Sequence, residues 1–299
     1  MTKNMPRKIR GNFDGIANKF DRNIYGTSKG RLRHQLLLHH LSEYIDNGAV
    51  DVIVNGANGA NNGANSSTSN KQIITQQSDI TPQATSQLKQ KLNILDVGGG
   101  TGIMAKEFAA NGHKVHLIDV SEDTLEIARQ RLLEYSDASI QHTSLSHFAE
   151  LYTGQGYDLI LCHALLEWLD DPLTAVQELS ALLAPKGVLS LSFFNHDAKV
   201  FNNLLYGNFD YVQQGLPARN TVRLNPHNAQ KPAEVLEYIQ QHTHLTILSS
   251  NGIRCIHDYM LDKSRIEPQY DSLFTLELQY GALAPYKYLG KYFHVMLQS

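Results

Sequence analysis

Cysteine is nearly absent: Cys162 and Cys255 are the only two in 299 residues. Two thiols so far apart give no disulfide framework and no cysteine-based metal motif, and they suit a reducing compartment. No apolar run reaches about 18 residues, and no apolar segment follows the basic start, so neither a membrane span nor a signal peptide is expected and the expected location is cytoplasmic. The 14 histidines are scattered. His39-His40 and His242-x-His244 lack a carboxylate or cysteine at ligand spacing, so no metal is expected, and no obligate protein partner is implied either. A net charge of -3 shows no surplus of one sign over the whole chain. Aromatics are missing from residues 55 to 90, where Asn, Gly, Ser, Thr and Gln dominate. Such a composition cannot bury enough apolar surface to offset ordering, which predicts a flexible low-complexity insertion over 51–90.

What is present centres on LNILDVGGGTG, residues 92 to 102. A buried parallel strand ending in Asp96 is followed by a tight turn with glycines at 98, 99, 100 and 102, then an apolar-periodic helix start. Glycines permit φ > 0 and close backbone approach to a ligand, and a helix N-terminus supplies unpaired N–H groups. The pattern therefore marks a nucleotide-type cofactor site. A dinucleotide Gly-x-Gly-x-x-Gly would need glycine where Ile103 stands, which makes a pyrophosphate turn, and with it a dehydrogenase, the weaker fit. A second strand ends in Asp119, nineteen residues beyond Gly100, where an acid can accept ribose hydroxyls; Ser121 is the expected cap of the helix from about Glu122.

Taken in order, residues 1–50 read as a basic arm followed by lid helices. Residues 1 to 33 hold nine basic residues against two acids, Asp14 and Asp21. That surplus can attract phosphates, or can be a solvated terminus with no partner. Residues 1–10 read as disordered, Ile16 to Phe20 as a short helix, Tyr25 to Gly30 as a turn, and Leu32 to Ile45 as an amphipathic helix able to lie across a ligand mouth. On that helix Arg33 can reach an anionic group or simply be solvated. From 91 to 299 strands and helices alternate. SIQHTSLSHF reads as a third strand and a loop holding Leu145 and Ser146. A fourth strand over Asp158 to Cys162 leads to His163, on the rim where open α/β sheets bind ligands, with a core histidine as the rival reading. A helix over 172–183, the turn Pro185-Lys186-Gly187 and a fifth strand over 188–194 follow. The insertion 195–231 interleaves Tyr206 and Tyr211 with Arg219 and Arg223, either to stack bases and hold phosphates or as a helical cap packed on its own aromatics. A helix from Pro232, a sixth strand, another helix and a terminal strand complete an α/β fold.

The segments ILDVGGGTG, GHKVHLIDVS and LAPKGVLSLSFFN resemble the class I S-adenosylmethionine-dependent methyltransferases. NIYGTSKGRLR, DLILCHALLEWLDDP, GNFDYVQQGLP and GIRCIHDYM are similar to one family within them, the bacterial tRNA 5-carboxymethoxyuridine methyltransferases of the SmtA type. The resemblance implies a Rossmann-like fold with a seven-stranded, mostly parallel sheet, an antiparallel last strand, an N-terminal helical lid and a substrate-side insertion after strand five. It implies S-adenosylmethionine as cofactor, S-adenosylhomocysteine as product and a tRNA anticodon stem-loop as partner. By the same resemblance the cofactor contacts fall on Arg33, Gly98, Gly99, Asp119, Leu145, Ser146 and His163, to which the turn itself adds Asp96 and Gly100. Where the family carries Ala and Gln in the adenine loop this chain has Leu145 and Ser146, so a glutamine-type side-chain contact is lost. Candidate substrate contacts are Lys29, Arg31, Tyr206, Tyr211, Arg219 and Arg223. No acid–base residue is assigned, because the acceptor carboxylate, of pKa about 4, is ionised near neutral pH and needs only positioning. Methylation of a small carboxylic acid, and a non-catalytic RNA-binding protein that keeps the cofactor, are the alternatives.

Overall fold

The computed structural model describes residues 13–18, 21–22, 26–42, 44, 91–217 and 228–299. The expected disordered start, the 51–90 insertion, Arg219 and Arg223 lie outside the described residues. The alternation read from the sequence builds one sheet of seven strands: β1 (Asn93–Val97), β2 (Lys114–Asp119), β3 (Ala138–His142), β4 (Tyr157–His163), β5 (Leu183–Phe194), β6 (Thr246–Ile253) and β7 (Tyr292–Gln298). Their spatial order is β3-β2-β1-β4-β5-β7-β6. Strands β1 to β5 pair in parallel, and β7 runs antiparallel to both β5 and β6. This is the Rossmann-like methyltransferase arrangement.

Consecutive apolar residues on the central strands point to opposite faces, which is why these strands read as unbroken hydrophobic runs. Ile94, Leu159 and Leu161 belong to one core with helices α1 (Ser28–Ser42), α2 (Ile103–Ala110) and α3 (Glu122–Leu132). Leu95, Val97 and Ile160 belong to the other, covered by α4 (Leu145–Leu151), α5 (Pro172–Ala181) and α8 (Pro232–His242). Beyond β5 the chain forms α6 (His196–Leu205) and α7 (Phe209–Gln213), so the described part of the insertion is a helical cap. Helix α9 (Tyr270–Gly281) packs back against α1.

Four local expectations are corrected. Helix α1 begins at Ser28 inside the expected turn, because the Thr27 hydroxyl accepts from the Gly30 amide at 3.3 Å and the Thr27 carbonyl accepts from the Arg31 amide at 3.0 Å. It is also more than amphipathic, being wedged between α2 and α9 with Leu32, Leu36, Leu37, Leu38, His40 and Leu41 all buried. Leu145 and Ser146 open a helix instead of lying in a loop, since the Ser144 hydroxyl caps it by accepting from the His147 amide at 3.2 Å. The expected Pro185-Lys186-Gly187 turn is absorbed into β5 as an irregularity, with Lys186 at φ 65° and the pairing shifted between Tyr157 and Leu159. Ser121 stands at the α3 N-cap without capping through its side chain; its hydroxyl donates to Asp14 at 2.8 Å, and Asp14 also accepts from the Asp123 amide at 3.2 Å.

One buried acid organises the tail after β6. The Glu277 carboxylate accepts from the amides of Cys255 at 2.7 Å, Ile256 at 3.0 Å and His257 at 2.7 Å, and from the Cys255 thiol at 3.2 Å. The two carboxylate oxygens together accept from all four donors. Glu277→Gln places amide hydrogens against these donors, so we expect urea unfolding to show a loss of about 2–3 kcal/mol; an unchanged midpoint would refute this role.

Candidate functional site

The parallel strands end on one rim, and β7, being antiparallel, begins there. On this rim the glycine turn leaves β1, His163 ends β4, Phe194 ends β5, and α1 forms an outer wall. Between them lies an open cleft lined by Gly30, Arg33, His34, Leu37, Asp96, Gly98, Gly99, Met104 and His163. The lid placement expected of α1 is therefore what the structure shows.

The turn differs from expectation in what it offers. Gly98 and Gly99 donate their amides to the Ile118 carbonyl at 2.8 and 3.3 Å, Gly102 donates to Gly99 at 2.9 Å, and Gly100 donates to the Asp119 carboxylate at 2.9 Å. These N–H groups are spent inside the protein, so the turn supplies room more than donors. The need for room is steric: a Cβ on Gly99 would stand 2.8 Å from the Asp96 carboxylate and from Leu117, and Gly98 sits at φ +65° beside Leu165. Asp119 clamps the turn to α3, because its second oxygen accepts from the Ser121 amide at 2.8 Å. Each of its oxygens still has a lone pair for another donor.

Asp96 is 3% exposed, and its Oδ2 has no hydrogen-bond partner. Burial and then the charge of Asp119 push it up to about 7, the Ala105 amide opposing them. An unpartnered acid carboxylate aimed at a cleft wants a cation. Arg33 lines the same cleft; its guanidinium makes no side-chain hydrogen bond among the described residues and lies 4.6 Å from the centre of the Tyr292 ring. An acid and an arginine lining one cleft can together receive a zwitterion.

His163 ends a buried polar chain. Its Nε2 and the Ser190 hydroxyl are 2.8 Å apart, Ser190 and His294 Nε2 are 2.8 Å apart, and His294 Nδ1 and His40 Nδ1 of the lid helix are 3.0 Å apart. Burial keeps all three rings neutral, His163 falling to about 3, helped by Arg33 and His34, and His40 to about 4, helped by His39; His294 falls well below its ordinary value. With one proton per ring the chain has two complete arrangements, one of which leaves an N–H on His163 Nδ1, an atom with no partner in the protein. A ligand oxygen there selects that arrangement. His163 is thus a buried member of this chain and at the same time part of the cleft lining.

The remaining candidates separate. Leu145 is buried in the core, and the Ser146 hydroxyl donates to Glu178 at 3.1 Å, which leaves their backbone for a ligand. Arg31 is committed to Glu267 at 2.7 Å and stacks 3.8 Å over Tyr270, turned away from the cleft residues, whereas Lys29 is exposed. Tyr206 is 71% exposed at the end of α6; the Tyr211 hydroxyl donates to the Pro217 carbonyl at 3.1 Å, holding the cap. Sequence reasoning treated Asp14 and Asp21 only as charges to subtract. Asp14 caps α3, and Asp21 accepts from the Thr101 hydroxyl at 2.6 Å and pairs with Arg131 at 3.2 Å, so two acids pin the N-terminal segment over the turn. Glu167 was also missed: its carboxylate is buried, and burial lifts it to about 7 against the Glu167 and Phe194 amides and the charge of Arg33. Among the described residues no cluster of three possible metal ligands occurs, and no helix is long and apolar enough to cross a membrane.

Comparison with known proteins follows this geometry. A methyltransferase domain model matches residues 70–256. The tRNA 5-carboxymethoxyuridine methyltransferase of Escherichia coli (strain K12) is 34% identical over 292 residues, covering 95% of this chain and 94% of that one. A ubiquinone biosynthesis O-methyltransferase of Haemophilus ducreyi is 33% identical, but over 50% of this chain and 63% of its own. Among solved structures, the N-methyltransferase NodS from Bradyrhizobium japonicum WM9 superposes with a TM-score of 0.42 at 17% identity, over 70% of this chain and 79% of that one.

The pKa of Asp96 predicts a stability effect. Because its folded value lies above its unfolded one, stability is lost as pH rises between the two, from about 4 to 7. Asp96→Asn removes this cost, so thermal melts of the ligand-free protein should show it several degrees more stable than the parent at pH 8, with the gap narrowing toward pH 4. A variant less stable than the parent at pH 8 would contradict the assignment.

Proposed function

The chain belongs to the bacterial tRNA 5-carboxymethoxyuridine methyltransferase family, and from that premise we propose that it esterifies the carboxylate of 5-carboxymethoxyuridine, at the tRNA wobble position, with the methyl group of S-adenosylmethionine. The observation that carries the reading is the reach of the family match: it runs through lid, sheet and insertion, where the ubiquinone enzyme matches only half of the chain. Acting on tRNA, the enzyme is cytoplasmic.

The residues present fit the cofactor. Arg33 would hold its carboxylate and the unpartnered Asp96 oxygen its ammonium. The free lone pairs of Asp119 would take the ribose hydroxyls, the backbone at Leu145 and Ser146 would take the adenine, and Gly98, Gly99 and Gly100 would leave room for the cofactor to pass. His163 Nδ1 is left as a donor beside them. When bound, S-adenosylmethionine supplies an electrophilic methyl on a sulfonium centre. The acceptor oxygen is already anionic near neutral pH, so no residue of this chain has to remove a proton. What the protein contributes is alignment, a cleft closed on one side by α1, and removal of water from the approaching anion. Tyr206 offers an exposed ring on which an unstacked base can rest, and Lys29 an exposed cation for the backbone of the anticodon loop.

Two measurements test this reading. Labelled cofactor and tRNA lacking the ester should yield a base-labile label on the wobble nucleoside by mass analysis; label on a base-stable position, or only on small carboxylic acids, would overturn it. Since an ammonium needs the ionised form of Asp96, cofactor affinity measured by calorimetry should weaken about tenfold per pH unit below about 7. Asp96→Asn should bind weakly with no such slope, and an affinity flat from pH 5.5 to 8 in the parent protein would remove Asp96 from the site.

A further inference from the structure

Four elements far apart in sequence bring cations to the same rim, next to the cleft. Lys291 immediately precedes β7, Lys199 lies on α6, Lys29 on α1, and Arg254 just after β6. The Lys291 ammonium lies 4.8 Å from the centre of the Phe194 ring, and that ring meets Tyr292 edge-on at 5.9 Å. Tyr292 is shared: Arg33 of the cleft lies 4.6 Å from its centre and Arg254 lies 5.5 Å from it. The cluster is therefore continuous with the cleft wall.

The compensation is incomplete. Asp258 is the acid facing these cations, and it is already engaged by Arg254 at 2.9 Å and by the His257 ring at 2.9 Å. Burial alone would raise Asp258, but the His257 hydrogen bond and the charges of Arg254 and Lys291 hold it down to about 2. Arg254 keeps its Nε buried without a partner, at a residue with φ 62°. The Lys291 ammonium makes no side-chain hydrogen bond among the described residues, while its backbone carbonyl accepts from the Asn195 amide at 3.1 Å. Burial pushes it below the usual lysine range; Asp258 works against this, while Arg254, Lys29 and Lys199 push further down. Lys199 is lowered by burial too. Half-buried cations pressed together against aromatic rings are unfavourable until an anion joins them.

We propose that Lys291, flanked by Lys199 and Lys29 and backed by Arg254, binds the anionic group of the acceptor nucleotide and so sets acceptor specificity. This rests on the methyl-transfer reading above and adds to it the residues that hold the acceptor. The shared chemistry is an oxyanion: the carboxylate on the base, or the phosphodiester of the same nucleotide. Lys291 supplies point-charge neutralisation, and Phe194 and Tyr292 keep water from competing.

The test uses the full chain and two anticodon stem-loop RNAs, one carrying the carboxylate on the wobble base and one lacking it, with binding read by fluorescence anisotropy at several salt concentrations. For Lys291→Gln the expected result is about tenfold or greater weakening. A loss confined to the carboxylate-bearing RNA identifies the carboxylate; an equal loss on both RNAs, with the salt slope falling by about one, identifies the phosphodiester. Lys291→Arg should restore most of the affinity. Calorimetry with the cofactor should give the same affinity in Lys291→Gln and parent, which separates the anion site from the cofactor cleft, and Lys199→Gln should weaken RNA in the same sense should the first variant fold poorly. Unchanged binding of both RNAs by both glutamine variants would overturn the proposal. Because binding is read without turnover, failure of methyl transfer to tRNA would count against the reaction and leave this outcome intact.

Discussion

An acid carboxylate held out of water at the end of the central strand is the constraint from which the rest of the site follows. Asp96 has no partner for one oxygen, and Asp119 on the neighbouring strand adds its own charge to the difficulty. Gly99 must be glycine because that carboxylate occupies the space a Cβ would need. Asp119 can stand so close because its two oxygens are anchored by the Gly100 and Ser121 amides, which also lock the turn. The lid helix then brings Arg33 to the same cleft. A strained arrangement of this kind is stable only where the surrounding fold over-determines it, and here both cores press on the sheet from either side.

The lid is held down by polar contacts as well as by its buried leucines. His40 joins His294 and, through Ser190, His163; Ser28 joins His257 at 3.2 Å; His34 joins Glu107 at 3.0 Å; and the segment before the lid is held by Asp14 and Asp21. Every one of these partners is distant in sequence, so the helix is placed by tertiary contacts and carries its ligand group, Arg33, to a defined position. The rim beside it gathers cations in the same way, with Tyr292 as the ring common to the cleft and the cationic cluster.

Much of this was legible in the order of the residues. Apolar runs such as LILC predicted strands covered on both faces, and the family resemblance implied the antiparallel β7. The errors have local causes. Thr27 and Ser144 both cap helices inside stretches that read as turn or loop, a competition between side-chain oxygens and turn residues that composition cannot decide. The glycine amides read as ligand donors because sequence shows a turn and not its hydrogen bonds, which run to Ile118 and Asp119.

The order of residues by itself determined most of the element types, the cofactor turn and the acids at the strand ends, because hydrophobic periodicity and turn chemistry are local properties, and its motifs pointed by resemblance to the family. Only the tertiary structure decided which charges meet: that Arg31 turns to Glu267 while Arg33 two residues on lines the cleft with Asp96, that Asp14 and Asp21 are clasps, and that Lys29, Lys199, Arg254 and Lys291 converge. The reason is physical: an ionisable group's behaviour depends on burial and on neighbours within a few ångströms, and in a parallel sheet those neighbours come from the ends of strands separated by whole helices.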